Sequence, residues 1–221
     1  MWVIPEVTPE FEERMMDVLD TYTRPYNHNE PVICLDEKNH QLLSNIRVSL
    51  PISPGKFRRI DYGYRREGVR NEFVVVEPKT GIRHIRTTKK RAGRDWAKFI
   101  HFIVFKTYPS ANLVHIILDN LNTHNIVYLY EVYGNVVAEY ILSRIVIHNT
   151  PKHASWLNMA EIEIGIFTRQ VLKKRISNDK ILKIQKDAYV SRRNKAKAKI
   201  NWKFSKEKAT EIFKLKELHQ D

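Results

Sequence analysis

Residues 113–119 read LVHIILD, in which five apolar residues surround one histidine and an aspartate follows. A short run of branched apolar residues is typical of a strand buried within a sheet. The stretch PVICLD at residues 31–36 has the same form and also ends on an aspartate. Two buried strands of this kind, separated by further strand and helix patterns, predict an α/β protein with a mixed sheet and helices packed on it.

Outward from these two strands, the chain alternates between strand and helix patterns. Further strands are predicted at 40–50, at 72–77 and 82–87 on either side of the turn 78–81, and at 144–148. A first helix is predicted at 8–21, with Thr8 as its cap, and a second around Trp96 to Ile103, ended by Pro109. Further helices are predicted after Thr123, from about 157 to 174, and once or twice within 179–218. We divide the chain into an N-terminal helix and lead-in (1–30), a core domain (31–178) and a basic helical C-terminal extension (179–221).

Composition and charge narrow the class of protein. The 221 residues include one cysteine, Cys34, so no internal disulfide can form and a thiolate metal site is not expected. The acidic N-terminal stretch does not resemble a signal peptide, and no apolar run reaches the length of a membrane span. Residues 169–221 hold 17 of the 38 Lys and Arg but 6 of the 25 Asp and Glu. This concentration of positive charge indicates nucleic-acid binding, although a solvated basic helix would have the same composition.

The two strand-ending aspartates, Asp36 and Asp119, are candidates for metal chemistry. Ligands and metals gather beyond the carboxyl ends of strands in open sheets. Two carboxylates brought together there would repel each other unless a cation lay between them, as in two-metal phosphoryl transfer. The alternative is that each acid simply ends a strand and begins a turn, which is common.

A third acid is expected from the helix in the segment HNTPKHASWLNMAEIEIGIFTRQVL (148–172). Its core-facing stripe is Ala160, Ile164, Phe167 and Val171. At about 100° per residue, Glu161 lies roughly 90° to one side of this stripe and Glu163 roughly 70° to the other. Helix geometry does not choose between them.

Several motifs resemble the insertion-sequence-630 family of transposases, which are bacterial relatives of the mariner elements in the DDE superfamily. They are LDE (35–37), LDNLNTH (118–124) and TPKHASWLNMAEIE (150–163), followed by RQVL (169–172) and RRNKAKAKINWKF (192–204). The resemblance runs from about Trp2 to Leu218 and implies an RNase H-like fold. Relatives carry the third acid in a Leu-Asn-Pro-Ile-Glu motif, which falls here on Leu157 to Glu161.

The resemblance implies a catalytic set of Asp36, Asp119 and Glu161, with Glu163 as the second choice. These carboxylates would hold Mg²⁺, for which Mn²⁺ can substitute, with Asp36 bridging two ions. It also implies cleavage and strand transfer on double-stranded DNA, at transposon ends and target, by a homodimer on DNA. The expected location is the bacterial cytoplasm, at the nucleoid, with no membrane association.

Candidate DNA contacts are basic residues near the acids and in the basic segment. They are Lys152, His153, Lys173, Lys174, Arg175, Arg192 and Arg193. Only about 30 residues precede the first core strand, too few for the helix-turn-helix modules that read transposon ends in such proteins. Recognition of those ends is therefore not expected of this chain alone. The alternative function is a catalytically silent DNA-binding remnant of a transposase.

Overall fold

The computed structural model describes residues 7–59 and 61–215. Within these ranges the strands are β1 (Val32–Asn45), β2 (Tyr64–Glu77), β3 (Ile82–Thr88), β4 (Val114–Leu118) and β5 (Ile145–Asn149). The α-helices are α1 (Pro9–Thr23), α2 (Gly93–Phe102), α3 (Val127–Leu142), α4 (Ala160–Phe167), α5 (Asp179–Lys195) and α6 (Lys206–Phe213). Residues 1–6 of the predicted N-terminal segment and 216–221 of the predicted extension lie outside the described residues.

The five strands form one mixed sheet in the order β3-β2-β1-β4-β5. β2 is antiparallel to both β1 and β3, whereas β1, β4 and β5 are parallel. At the centre of the sheet, Val32 of β1 pairs with His115 of β4, and Cys34 pairs with Ile117. The predicted class, a mixed sheet flanked by helices, is confirmed.

Helices cover both faces of the sheet because its central strands are apolar on both sides. On one face, α2 and α3 bury a core that includes Ile33, Leu35 and Ile116. On the other face, α1 and the start of α4 pack over Cys34 and Ile117. None of the helices within the described ranges is both long and apolar enough to cross a membrane.

The predicted apolar stripe of α4 faces the core. Ala160 and Phe167 are fully buried, and Ile164 and Val171 are nearly so. The helix is shorter than predicted, however. Residues 155–157 form a separate 3₁₀ turn, Asn158 has extended backbone angles, and a π-helical turn continues α4 over Thr168–Leu172. The Asn158 side chain accepts a hydrogen bond from the Ala160 N–H at 3.0 Å, so it caps the helix and separates it from the preceding turn.

The prediction of a separate strand at 40–50 was wrong. Residues 40–45 continue β1, because β2 begins at Tyr64, earlier than predicted, and pairs with β1 from Cys34 to Asn45. The irregularity between Gln41 and Leu43 in this pairing is a bulge that keeps the strand continuous. Residues 46–59 and 61–63 lie between the two strands.

The C-terminal helices are attached to the sheet through a buried polar joint. Arg83 of β3 is fully buried and donates to the Ala198 carbonyl at 2.6 Å. The Asn194 side chain accepts from the Arg83 N–H and donates to the Arg83 carbonyl, both at 2.9 Å. The backbone of Lys197 and Ala198 passes so close to Gly81 that a β-carbon there would stand 2.6–2.7 Å from it. The turn between β2 and β3 therefore requires glycine at this position.

Candidate active site

Two of the predicted acids lie side by side at the centre of the sheet. The register that pairs Cys34 with Ile117 brings Asp36 level with Asp119, which directly follows the last residue of β4. β4 ends there, whereas β1 continues for nine more residues. The end of β4 beside the continuing β1 thus opens a crevice, called the carboxylate crevice below, with Asp36 on β1 and Asp119 just beyond β4.

The third predicted acid, Glu161, is exposed in the first turn of α4. Asn158, just before this helix, is buried and donates from Nδ2 to the Leu35 carbonyl at 2.8 Å. This bond attaches the start of α4 to the residue that precedes Asp36. Glu161 is therefore held beside β1.

The three carboxylates influence one another electrostatically. Burial raises the pKa of Asp36 from its ordinary value of 3.8 to about 7, and the charges on Asp119 and Glu161 add to the shift. The Glu37 N–H, which donates to Asp36 Oδ1 at 2.7 Å, opposes it. The site thus concentrates negative charge that a cation would relieve.

The carboxylates do not yet form a closed ligand cage. Across residues 7–59 and 61–215, no three His, Cys, Asp or Glu side chains stand close enough together to hold a metal ion. The fit of Asp36, Asp119 and Glu161 to Mg²⁺ or Mn²⁺ therefore rests on their chemistry, because all three are hard oxygen donors with mutually repelling charges.

Glu163 has a different environment from Glu161. Its side chain is fully buried, and Arg83 Nε lies 2.8 Å from Oε1, in a direction off the N–H axis. Arg193 Nη2 donates to Oε2 at 2.8 Å, and the Tyr189 hydroxyl donates to Oε1 at 2.5 Å. Glu163 is therefore neutralised by two guanidinium groups and holds α4, α5 and β3 together.

His124 connects Asp119 to Glu37, a residue that the sequence analysis did not single out. Its Nδ1 donates to the Asp119 carbonyl at 2.9 Å, and its Nε2 lies 3.1 Å from Glu37 Oε1. Burial lowers the pKa of His124, but the bonds to Asp119 and Glu37 outweigh it and raise the pKa to about 9. Strand alternation is the sequence signal that could have predicted a separate environment for Glu37, because successive side chains of a strand face opposite sides of the sheet.

The seven predicted DNA contacts fall into two groups. Lys152, His153, Lys173, Lys174 and Arg192 are exposed. Arg175 instead donates to the carbonyls of Asp61, Tyr62 and Gly63 at 2.8–3.1 Å and to the Asn45 side chain. Arg193 is bound to Glu163. The guanidinium groups of these two arginines are thus occupied by contacts within the protein.

A mixed sheet flanked by helices, with one aspartate within β1 and another just after the neighbouring parallel strand β4, defines the protein as an RNase H-like α/β domain with a carboxylate site. The family model described as DDE superfamily endonuclease matches residues 31–183. The chain belongs to this family. The match covers the two aspartates, Glu161 and the beginning of α5.

Solved structures of a mariner transposase have a similar fold. The Mos1 mariner paired-end complex with Mn is matched with a TM-score of 0.54 at 14% sequence identity, over 87% of this chain and 58% of that one. The Mos1 strand transfer complex is matched with a TM-score of 0.55 at 13% identity, over 86% and 57%. This chain thus spans less than three-fifths of the Mos1 chains. No match was found among curated protein sequences.

Proposed function

We propose that the chain is the catalytic domain of a DNA transposase of the insertion-sequence-630 group, which cleaves and joins DNA strands at transposon ends. The observation that carries the proposal is the arrangement of Asp36, Asp119 and Glu161. In a chain of the DDE endonuclease family, three acids from separate elements meet where β4 ends beside β1, and burial together with the charges of Asp119 and Glu161 raises the pKa of Asp36.

In this proposal Asp36, Asp119 and Glu161 would be the residues that hold divalent cations, Mg²⁺ or Mn²⁺. Bound there, the cations would activate water or a DNA 3′-hydroxyl and stabilise the leaving oxygen of the phosphodiester. Asp36 and Asp119 are fixed by the sheet, and the Asn158 bond to β1 fixes the start of the helix that bears Glu161. The sheet and this bond would therefore hold the carboxylates in place before a cation binds.

Burial and ion pairing favour Glu161 over Glu163 as the third ligand. A carboxylate that serves a metal must be reachable by solvent and free to turn toward its neighbours. Glu161 is exposed, and in the part of the chain that the structure describes no cation stands within ion-pair distance of it. Glu163 could bind a metal only by abandoning two arginines inside the protein, which would cost several kcal/mol.

We propose that double-stranded DNA lies across the carboxylate crevice and contacts the exposed basic residues around it. Lys152 and His153 follow β5 at the same end of the parallel strands as Asp119, so they are suited to the phosphates beside the cleaved bond. Lys173, Lys174 and Arg192 would bind phosphates farther along. Arg175 and Arg193 we assign to folding. The division at 31–178 and 179–221, a homodimer on DNA and a location at the bacterial nucleoid remain parts of this proposal.

The test is cleavage and strand transfer on a labelled duplex in Mg²⁺ or Mn²⁺, comparing the chain with Asp119→Ala. We expect metal-dependent nicked products that the variant does not form. Cleavage without any strand-transfer product would instead identify a nuclease of the same fold. DNA binding with no cleavage, even after fusion to an upstream helix-turn-helix segment, would leave a silent DNA-binding remnant and overturn the proposal.

A further inference from the structure

Strand β1 places two neighbouring acids on opposite faces of the sheet. Asp36 faces the side covered by α1 and α4, whereas Glu37 faces the core under α2 and α3. The Glu37 side chain is only 1% exposed. A buried carboxylate next to an apolar core is costly unless its partners are well placed, so its contacts need an explanation.

One of the residues that contact Glu37, His124, also contacts Asp119 of the carboxylate site. Arg91 Nε donates to Glu37 Oε2 at 2.5 Å from the surface side. On the inner side, His124 Nε2 lies 3.1 Å from Oε1, and the His124 ring is 1% exposed. Trp96 stacks on that ring, with 5.9 Å between the ring centroids and 28° between the planes. The imidazole therefore has little freedom to turn.

The other nitrogen of the same ring holds Asp119. His124 Nδ1 lies 2.9 Å from the Asp119 main-chain oxygen and 3.2 Å from its Oδ1. The segment between the two residues is compact, because the Leu121 N–H donates to the Asp119 carbonyl and the His124 N–H donates to the Leu121 carbonyl. The imidazole thus spans from β1 to the residue that follows β4, with an oxygen acceptor near each nitrogen.

We infer that Glu37 and His124 are positioning residues that set the orientation of Asp119 relative to Asp36. Glu37 would fix the imidazole from β1, and the imidazole would fix the main chain of Asp119 through the hydrogen bond to its carbonyl oxygen, while Oδ1 lies 3.2 Å from Nδ1 outside hydrogen-bond geometry. Since Glu37 is the residue after Asp36, β1 would then determine the positions of both aspartates. Partners that orient a metal ligand typically change metal affinity by about 10- to 100-fold when removed. This inference rests on the proposed function, because it takes Asp119 to be a metal ligand.

The test measures Mn²⁺ binding to the whole chain by electron paramagnetic resonance, with circular dichroism to verify that each variant is folded. We expect Glu37→Gln and His124→Gln each to weaken Mn²⁺ binding by about 10- to 100-fold. Since the two residues act in one chain of contacts, the double variant should bind no more weakly than the weaker single variant.

The matched control is Glu72→Gln. Glu72 is a fully buried carboxylate on β2 that accepts a hydrogen bond from Thr87 rather than from any residue of the crevice. Its replacement should leave Mn²⁺ affinity within about twofold of the parent, a margin well inside the effect expected at Glu37. If Glu37→Gln does not fold, Arg91→Gln carries the test, because Arg91 is 38% exposed and its loss frees Glu37 to move.

The inference is overturned if Glu37→Gln and His124→Gln are folded and bind Mn²⁺ as the parent does, while Asp119→Asn binds it more weakly. Arg91→Gln takes the place of Glu37→Gln in this comparison if Glu37→Gln does not fold. Glu37 and His124 would then only stabilise the fold. If Asp119→Asn also binds Mn²⁺ normally, the proposed metal site itself fails. The two failures are therefore distinguishable in one experiment.

Discussion

Glu161 and Glu163 lie two residues apart on α4, yet their environments have little in common. Glu161 is exposed beside Asp36, and its charge contributes to the raised pKa of that residue. Glu163 is fully buried between Arg83 and Arg193. One carboxylate adds to an excess of negative charge, whereas the other is neutralised within the protein.

This difference distinguishes Glu161, which is available to bind a metal, from Glu163, which stabilises the fold. Three acids that repel one another at the carboxylate crevice destabilise the metal-free protein, and a cation is the means of relieving that repulsion. Glu163 is bound by two arginines and a tyrosine, so its negative charge is already compensated without a cation. The two positions should therefore respond in opposite ways to the same substitution.

The largest effect is expected for Glu161→Gln. We expect metal-dependent cleavage to fall by at least ~10⁴-fold, equivalent to about 5 kcal/mol, because one of three charged ligands is lost. The free energy of unfolding should change by less than about 0.5 kcal/mol, since the residue is exposed. Single-turnover cleavage and urea denaturation measure the two quantities. A folded variant that cleaves normally would remove Glu161 from the site.

Glu163→Gln should show the reverse pattern. Removal of one charge from a buried ion pair leaves Arg83 without its counter-charge, so we expect a loss of about 3–5 kcal/mol in the free energy of unfolding. Mn²⁺ affinity of the protein that remains folded should match the parent. Urea denaturation and calorimetric titration would check both. Lost Mn²⁺ binding with normal stability would instead make Glu163 the third ligand.

Asp36 should make the stability of the metal-free protein depend on pH. Its pKa is raised from 3.8 to about 7, so between these values the folded protein retains a proton that the unfolded chain has lost. This carboxylate therefore lowers stability progressively as pH rises from about 4 to 7. In EDTA at pH 8, Asp36→Asn should raise the free energy of unfolding by up to about 4 kcal/mol.

The pH dependence of the Asp36→Asn effect provides its own control. At pH 4 the folded parent carries a neutral Asp36, so the substitution should change stability little. Urea denaturation at both pH values gives the comparison. An equal gain at pH 4 and pH 8 would mean that packing, rather than charge, is responsible.

The smallest effect is expected for Tyr189→Phe, which removes one hydroxyl from Glu163 and leaves both arginines in place. A hydrogen bond to a charged group that is still otherwise neutralised should contribute about 1–2 kcal/mol. Cleavage should be unchanged. Thermal unfolding measures the change in stability, and the duplex assay measures cleavage. A drop in cleavage by a variant as stable as the parent would connect the contacts of Glu163 to catalysis.

The sequence predicted those parts of the fold that depend on local pattern. The strands at 31–36 and 113–119, the cap at Thr8 and the buried stripe of α4 follow from alternation, capping and helical period, and all are confirmed. The continuity of β1 was missed, because the passage of the strand through residues 37–39 depends on pairing with β2 rather than on the residues themselves. The helix break before Ala160 was missed for a related reason: Asn158 is held by a carbonyl of β1, more than 120 residues earlier.

By itself, the sequence determined the class of fold, the neighbouring apolar runs that carry Asp36 and Asp119, and two candidate positions for the third acid on one helix. These follow from periodicity, which is a local property of the chain. The prediction that Asp36 ends a strand was wrong, because pairing with β2 continues β1 to Asn45. Only the tertiary structure decided which glutamate is exposed and which is neutralised, and that Glu37 reaches Asp119 through His124. Burial and ion pairing depend on groups distant in sequence: Arg83 and Arg193 are 80 and 30 residues from Glu163, and His124 is 87 residues from Glu37. Such distances leave no periodic signal from which the contacts could be predicted.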